Sequence, residues 1–511
     1  MNLALPNFNL NHNLANYPDK PEFSFGSLAP IVLPSSSLVD SSCNLFGNYA
    51  DSIGSAVLLA FQVTESGTLE PILVDYQELC SFLIQEFREL TDQDQKKEDN
   101  LADNKGKKGR KKLQKNSQKK ESGRTSFSEE QNDEINGLIV TIWKHFEHLD
   151  DPRADTNRWH ELKDIVIIAI LAIISGANNW VQIANFGKSK YKWLKTFLKL
   201  TNGIPSHDTF NRVFSRLDPD QFKAGFISWV KSISKIASGE VIAIDGKQNR
   251  RTHDKKLGKK AIHMVSAWAT QNKLVLGQVK VNEKSNEITA IPELLEALYI
   301  SGCIITIDAM GCQKKIAEKI IDKEANYVLA LKNNHKNLYK EVTDIFDSLF
   351  KGESKEIKFD YFTTVDINHG RREVRECWTI SISQIKISGS NQWKKFTTIA
   401  MVRDERIIGD KTEKADRFFI SSLPSNAENI LDAVRFHWSI ENSLHWVLDM
   451  AFREDESRLR IGHGPENFAI LRHIALNFIK QETSKNEGTQ TKRLNAAWGE
   501  DYLLKILKCA K

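Results

Sequence analysis

The chain has only six cysteines in 511 residues, Cys43, Cys80, Cys303, Cys312, Cys377 and Cys509. None lies in a C-x-x-C pair or at a zinc-ligand spacing, which excludes a disulfide framework and a structural zinc site and fits a reducing cytoplasm. Long hydrophobic runs are also missing. The longest, residues 165–174, is about 10 residues where a membrane-spanning helix needs roughly 20, so a buried helix is predicted and no membrane partner. The N-terminal Met1-Asn2-Leu3-Ala4-Leu5-Pro6 has no basic start followed by an apolar core, so no secretory signal is expected. No internal repeat is apparent.

Charge of one sign is scarce outside a single arm. Residues 105–124 hold ten Lys/Arg against one acid, Glu121, and so carry +9 of a net charge of +5, leaving −4 for the rest. A polyanion crossing the remaining body must therefore be met by the arrangement of charges, since their total is close to neutral.

Composition divides the chain. Residues 1–100 read as an extension, irregular and Asn/Pro/Ser-rich to about Tyr49, then a small globular piece with a strand at 55–63 and a helix at 75–90. A basic, disordered linker follows at 101–131. Residues 132–237 show helical spacing throughout: Leu138, Ile139, Ile142, Trp143 and Phe146 mark one helix, residues 165–174 a second, and Trp180, Ile183, Phe186 and Gly187 a third that stops at the glycine. Ser206 is placed to cap a fourth.

At Val241 the period becomes strand-like. Strands are predicted at 240–245, 261–270 and 273–282, then a helix at 290–300, strand 303–308, helix 312–324, strand 326–332 and helix 336–350. Three closely linked strands form an antiparallel meander, and the later strands, separated by helices, add in parallel. The fold class expected for 238–482 is α/β, a ribonuclease H-like mixed sheet. An all-β insertion at 355–423 interrupts it, and one long helix runs from the caps Ser425-Asn426 through Phe452. Residues 483–511 read as a tail.

Three carboxylates stand out. Asp245 ends Val241-Ile242-Ala243-Ile244-Asp245, Asp308 ends Ile304-Ile305-Thr306-Ile307-Asp308, and Glu441 lies on the helix in His437-Trp438-Ser439-Ile440-Glu441-Asn442. Two carboxylates at buried strand ends and one on a helix can hold two Mg²⁺ or Mn²⁺ ions, the arrangement used for in-line phosphoryl transfer. Competing readings exist for each. An aspartate before glycine can simply make a turn. On the helix His445 and Asp449 follow Glu441 at i+4 and i+8 and share its face, so Asp449 rivals Glu441, as does Glu454-Asp455-Glu456, otherwise a solvated helix end.

Residues 143–480 resemble insertion-sequence transposases of the DDE type, the H-repeat-associated branch. The resemblance is carried by Phe146-Glu147-His148-Leu149-Asp150-Asp151-Pro152-Arg153, Ile204-Pro205-Ser206-His207-Asp208-Thr209-Phe210, Ile244-Asp245-Gly246-Lys247, Ile307-Asp308-Ala309-Met310-Gly311-Cys312-Gln313, His369-Gly370-Arg371-Arg372-Glu373-Val374-Arg375 and His437-Trp438-Ser439-Ile440-Glu441-Asn442-Ser443-Leu444-His445-Trp446. It implies that Asp245, Asp308 and Glu441 are catalytic and coordinate two divalent ions in a ribonuclease H-like domain. It also implies DNA partners, terminal inverted repeats and a target, bound by several copies of the chain. Leu331-Lys332-Asn333-Asn334-His335 departs from the family's Leu-Lys-Gly-Asn-Gln.

The helical stretch is then the expected reader of the element's ends. Arg371, Arg372 and Arg375 are expected on phosphates, against the plainer reading of a salt-bridged hairpin tip. Lys247, Lys332, Arg458 and Arg460 are expected in the same role. His445 either serves the metal or DNA or is structural. Trp438 and Trp446 are assigned to the core in preference to stacking on an extruded base. The arm at 105–124 is expected to add affinity without sequence preference. Two rival readings are a nuclease of the same fold without strand transfer and a catalytically silent DNA-binding protein.

Overall fold

A computed structural model describes the backbone of β1 (Val57–Val63) and β2 (Leu69–Asp75) and residues 129–509, except 254–257, 259, 283–285, 369–370 and 410. Residues 1–126 and 127–511 form two compact units. In the first, β1 and β2 pair antiparallel from Val57 opposite Asp75 to Val63 opposite Leu69. The helix expected at 75–90 and the basic arm at 105–124 lie outside the described residues.

The second unit is built on one nine-stranded mixed sheet in the order β5-β4-β3-β6-β7-β11-β10-β9-β8. β3 (Val241–Gln248), β4 (His263–Ala269) and β5 (Leu274–Lys280) form the expected antiparallel meander. β6 (Ile304–Ile307) and β7 (Asn326–Leu331) then add in parallel. The crossovers carry α-helices at Glu287–Ala297 and Lys314–Asp322, as parallel pairing requires.

The segment read as an all-β insertion does hold four strands, and they extend the same sheet. β8 (Asp360–Asn368), β9 (Arg371–Ser381), β10 (Thr398–Ile408) and β11 (Lys411–Ser421) continue the same sheet, with β11 pairing antiparallel to β7. β7 ends at Leu331, opposite Phe418, so residues 411–417 and their partners on β10 and β9 run past the ends of the central strands. Pairing across so long a separation leaves no local trace in the sequence.

Helices α1 (Glu129–Lys144), α2 (Leu162–Ile174), α3 (Trp180–Ser189), α4 (His207–Arg216) and α5 (Pro219–Ile233) precede the sheet. α1 begins inside the stretch read as linker. Ser206 caps α4 by accepting from the Thr209 N–H, and α2 is buried almost throughout. α3 does not stop at Gly187. A Cβ there would lie 2.7 Å from Ile204 Cγ2, so the glycine serves close packing and the helix runs on to Ser189. These helices do not stand alone, because a late helix, Gly464–Gln481, packs on α2, α4, α5 and β5 at once.

The long helix expected through Phe452 is interrupted. An α-helix spans Ala427–His437, capped by Asn426, then a π turn covers Glu441–His445 before α-helix resumes at Trp446–Phe452. The stretch read as a tail is two helices, Thr489–Trp498 and Glu500–Lys508. The first inserts Arg493, fully buried, against the core. Its Nε and Nη2 donate to the Ile173 carbonyl at 3.0 and 2.8 Å, Nη2 also to Ala177 O and Asn178 Oδ1, and Nη1 to Ala451 O. Its guanidinium lies 4.1 Å from the Phe452 ring. Arg493 thereby ties the segment bearing Glu441 to α2. Among the described residues no helix is long and apolar enough to cross a membrane.

Candidate active site

Alternation along β3 sends Val241, Ala243 and Asp245 to one face of the sheet and Ile242, Ile244 and Gly246 to the other. The helix Ala427–His437 packs across the first face, against β3, β6, β8 and β9. His437 at its end meets Thr306 of β6, Nδ1 to Oγ1 at 3.0 Å, with its pKa pushed down to about 4 by burial. That contact sets the π turn beside the tips of β3 and β6. A π turn adds a residue to the helical circuit and changes where the following side chains aim.

The turn brings Glu441 and His445 to Asp245. Ligand atoms of these three residues all lie within 4.8 Å of one another. His445 is buried, and its Nδ1–H donates to Glu441 Oε2 at 3.1 Å while lying 3.5 Å from Asp245 Oδ2. Burial lowers the His445 pKa, so the imidazole is held neutral. Asp308 follows β6, parallel to and next to β3. Its Oδ1 accepts from the N–H groups of Met310 (3.0 Å) and Gly311 (3.2 Å), so the aspartate makes a turn while Oδ2 is left to other partners.

Asn334, which keeps the family pattern, and His335, which departs from it, hold that turn from behind. Asn334 Nδ2 donates to Ala309 O and His335 Nε2 to Cys312 O, each at 2.6 Å.

Burial, then repulsion from Asp308, Glu287 and Glu441, pushes the Asp245 pKa up to about 7. The site thus concentrates carboxylates, and carboxylate oxygens are the donors that Mg²⁺ and Mn²⁺ take. His445 stands beside them with its Nδ1–H on Glu441.

The electrostatics give a testable sign. Unfolded, Asp245 ionises in the ordinary carboxylate range; folded, it stays protonated to about pH 7. Metal-free stability therefore falls as pH rises from about 4 to 7, and Asp245→Asn removes that loss. We expect the variant to be more stable than wild type by roughly 1–3 kcal/mol at pH 8 and indistinguishable near pH 4, measured by denaturant unfolding in chelator. A variant equally or less stable at pH 8 refutes the raised Asp245 pKa.

Lys247, expected on phosphate, is engaged by the protein. Its Nζ lies 2.6 Å from Asp449, 3.3 Å from Glu454 and 3.4 Å from Asp455. Burial opposes its charge, yet these carboxylates hold its pKa above the ordinary lysine value. Asp449, the rival third ligand, is thus taken up by Lys247. Glu454 is no solvated helix end: it is buried, and Arg472 also pairs with it at 3.3 Å.

Arg375 is held by Asp366, Glu373 and Asp404, and Arg371 by Glu373, the pattern of a salt-bridged hairpin. Arg372, Lys332, Arg458 and Arg460 are exposed and have no carboxylate partner among the described residues. Trp438 and Trp446 are not core residues. They are 50% and 58% exposed, and the Arg417 guanidinium lies 5.1 Å from the Trp438 ring. Helical spacing cannot separate an inward aromatic from an outward one when the π turn shifts the face. Glu287 escaped the sequence reading altogether, since only the fold brings it near Asp245.

Two family models match the chain. Residues 236–478 match the family described as transposase DDE domain, and residues 143–230 its DDE_Tnp_1-associated companion. Escherichia coli YncI, named as a transposase, is 39% identical over 376 residues, 72% of this chain and 95% of the relative. YhhI of the same organism, named as an H repeat-associated transposase, is 38% identical over 373 residues, 72% of this chain and 98% of the relative. Among solved structures, a piggyBac transposase synaptic complex with hairpin DNA aligns at a TM-score of 0.32 and 12% identity, covering 73% of this chain and 78% of that one, a likeness too slight to bear on the fold.

Proposed function

Because the chain belongs to the DDE transposase family, we propose that it cuts DNA at the terminal inverted repeats of its own insertion sequence and joins the freed 3′-hydroxyl to target DNA. One observation carries the reading: Asp245, within β3, meets Glu441 and His445, with Asp308 directly after the neighbouring parallel strand β6. The order β5-β4-β3-β6-β7 supports a ribonuclease H-like core. Asp245, Asp308 and Glu441 are the residues that would hold two Mg²⁺ or Mn²⁺ ions, which when bound activate the attacking oxygen and stabilise the leaving one.

The protein's own part is to position. His445 fixes the carboxylate of Glu441 by its Nδ1–H bond. Lys247 pins the segment after Glu441 to β3 through Asp449, Glu454 and Asp455. The overhanging ends of β8 to β11, tied to the Glu441 helix by the Arg435–Asp366 pair, supply Arg372 to the DNA backbone. Lys332, Arg458 and Arg460 meet phosphates from the central strands and the following segment, and Trp438 and Trp446 offer faces on which a base can stack. Several copies act together on the two ends of the element.

The test uses purified full-length chain and duplexes carrying the repeats that flank its gene. Cleavage and joining are expected with Mg²⁺ or Mn²⁺ and are expected to vanish in chelator. Cleavage that survives chelation ends the metal-dependent reading, and cleavage without joined products favours the nuclease.

A further inference from the structure

On the face of β3 away from Glu441 a second feature is built around a missing side chain. A Cβ on Gly246 would lie 2.1 Å from Glu287 Oε1 and 2.5 Å from His263 Nε2. Glycine next to Asp245 therefore lets the His263–Glu287 pair, 2.7 Å apart, close over the backbone. This pair floors a cavity of about 350 Å³. One wall is Met310, whose N–H donates to Asp308, and another is Arg460, in the segment after the Glu441 helix. Gln248, on β3 after Asp245, and Met310, after Asp308, thus place the cavity beside two of the proposed catalytic carboxylates, and none of the three lines it.

The chemistry of the lining is that of a nucleotide. Arg460 and Lys260 are exposed and have no carboxylate partner among the described residues, and Lys280 shares a long contact, 3.5 Å, with Glu466. Gln248 offers an amide edge that both donates and accepts, and Met310, 46% exposed, offers an apolar face. The volume stands at the small end of ligand pockets, enough for one nucleotide and not for a base pair with two backbones. Gln248 and Met310, which line the cavity, are three and two residues from Asp245 and Asp308, within roughly 7–10 Å along the chain, about two or three nucleotide steps of a strand.

We propose that this cavity is a subsite for a single unpaired nucleotide of the DNA strand beside the cut bond, its phosphate on Arg460 and Lys260 and its base between Gln248 and Met310. The inference rests on the transposase reading but concerns binding, so its test needs no catalysis. Full-length protein in chelator is titrated against a fluorescein-labelled end duplex, blunt or carrying a two-nucleotide single-stranded tail, and read by anisotropy. The tailed duplex is expected to bind about tenfold tighter. K260E should lower that preference at least threefold while leaving blunt binding within about twofold, and M310A should halve it or more. Both side chains are exposed, so the variants should fold. Equal affinity for the two duplexes, or a loss shared equally by both in K260E, overturns the subsite. If neither duplex binds, the transposase reading falls and takes the subsite with it. If the tail preference stands while metal-dependent cleavage fails, only the catalytic reading is lost.

Discussion

Asp245→Asn, Asp308→Asn and Glu441→Gln are each expected to lower strand cleavage by about 10³-fold or more while leaving end binding within a few-fold. Each substitution keeps the volume and removes a charge from the donor set, and metal stabilisation of the reacting oxygens is worth several kcal/mol, about 1.36 per factor of ten. Cleavage of a labelled end duplex and a gel shift on the same samples separate the two effects. Asp449→Asn is the control that decides the third ligand. Its carboxylate faces Lys247 at 2.6 Å, so its loss should weaken the fold more than it removes a metal contact. Near-normal cleavage in Glu441→Gln together with a collapse in Asp449→Asn would transfer the role to Asp449.

The second large effect is expected at Lys247. Lys247→Met strands Asp449, leaves Asp455 with the exposed Arg250 and leaves Glu454 with Arg472, and breaking a buried ion pair from one side costs about 3–5 kcal/mol. We expect a loss of that order in denaturant unfolding, partly recovered by adding Asp449→Asn, the signature of a direct coupling. A phosphate ligand would behave otherwise. Unchanged stability, with a weaker salt dependence of DNA binding, would return Lys247 to the DNA interface.

The sheet was legible where each strand's own residues dictate it. Apolar runs ending in an acid announced β3 and β6, and the alternation of strand and helix announced their parallel pairing. Joining β11 to β7 was not legible, because nothing local in Arg417-Phe418-Phe419-Ile420 specifies a partner so distant in the chain. The i+4 spacing of Glu441 and His445 was visible, but the π turn that carries both toward Asp245 has no sequence signature. Arg493 misled in the opposite direction. A charged residue in a polar, glycine-bearing stretch reads as surface, and it is buried here because carbonyl groups at three turns of backbone need its donors. Glu287 was invisible for a related reason, since its approach to Asp245 depends on Gly246 having nothing to collide with.

The Arg493 clasp also bears on when the site becomes complete. Ala451 and Phe452 close the segment that carries Glu441, and the group that fastens them to α2 is contributed by residues made some forty positions later. As the chain emerges from the ribosome, both aspartates and the glutamate are in place before their anchor has been synthesised. Ordering of the segment that carries Glu441 is therefore expected to follow synthesis of the helix Thr489–Trp498.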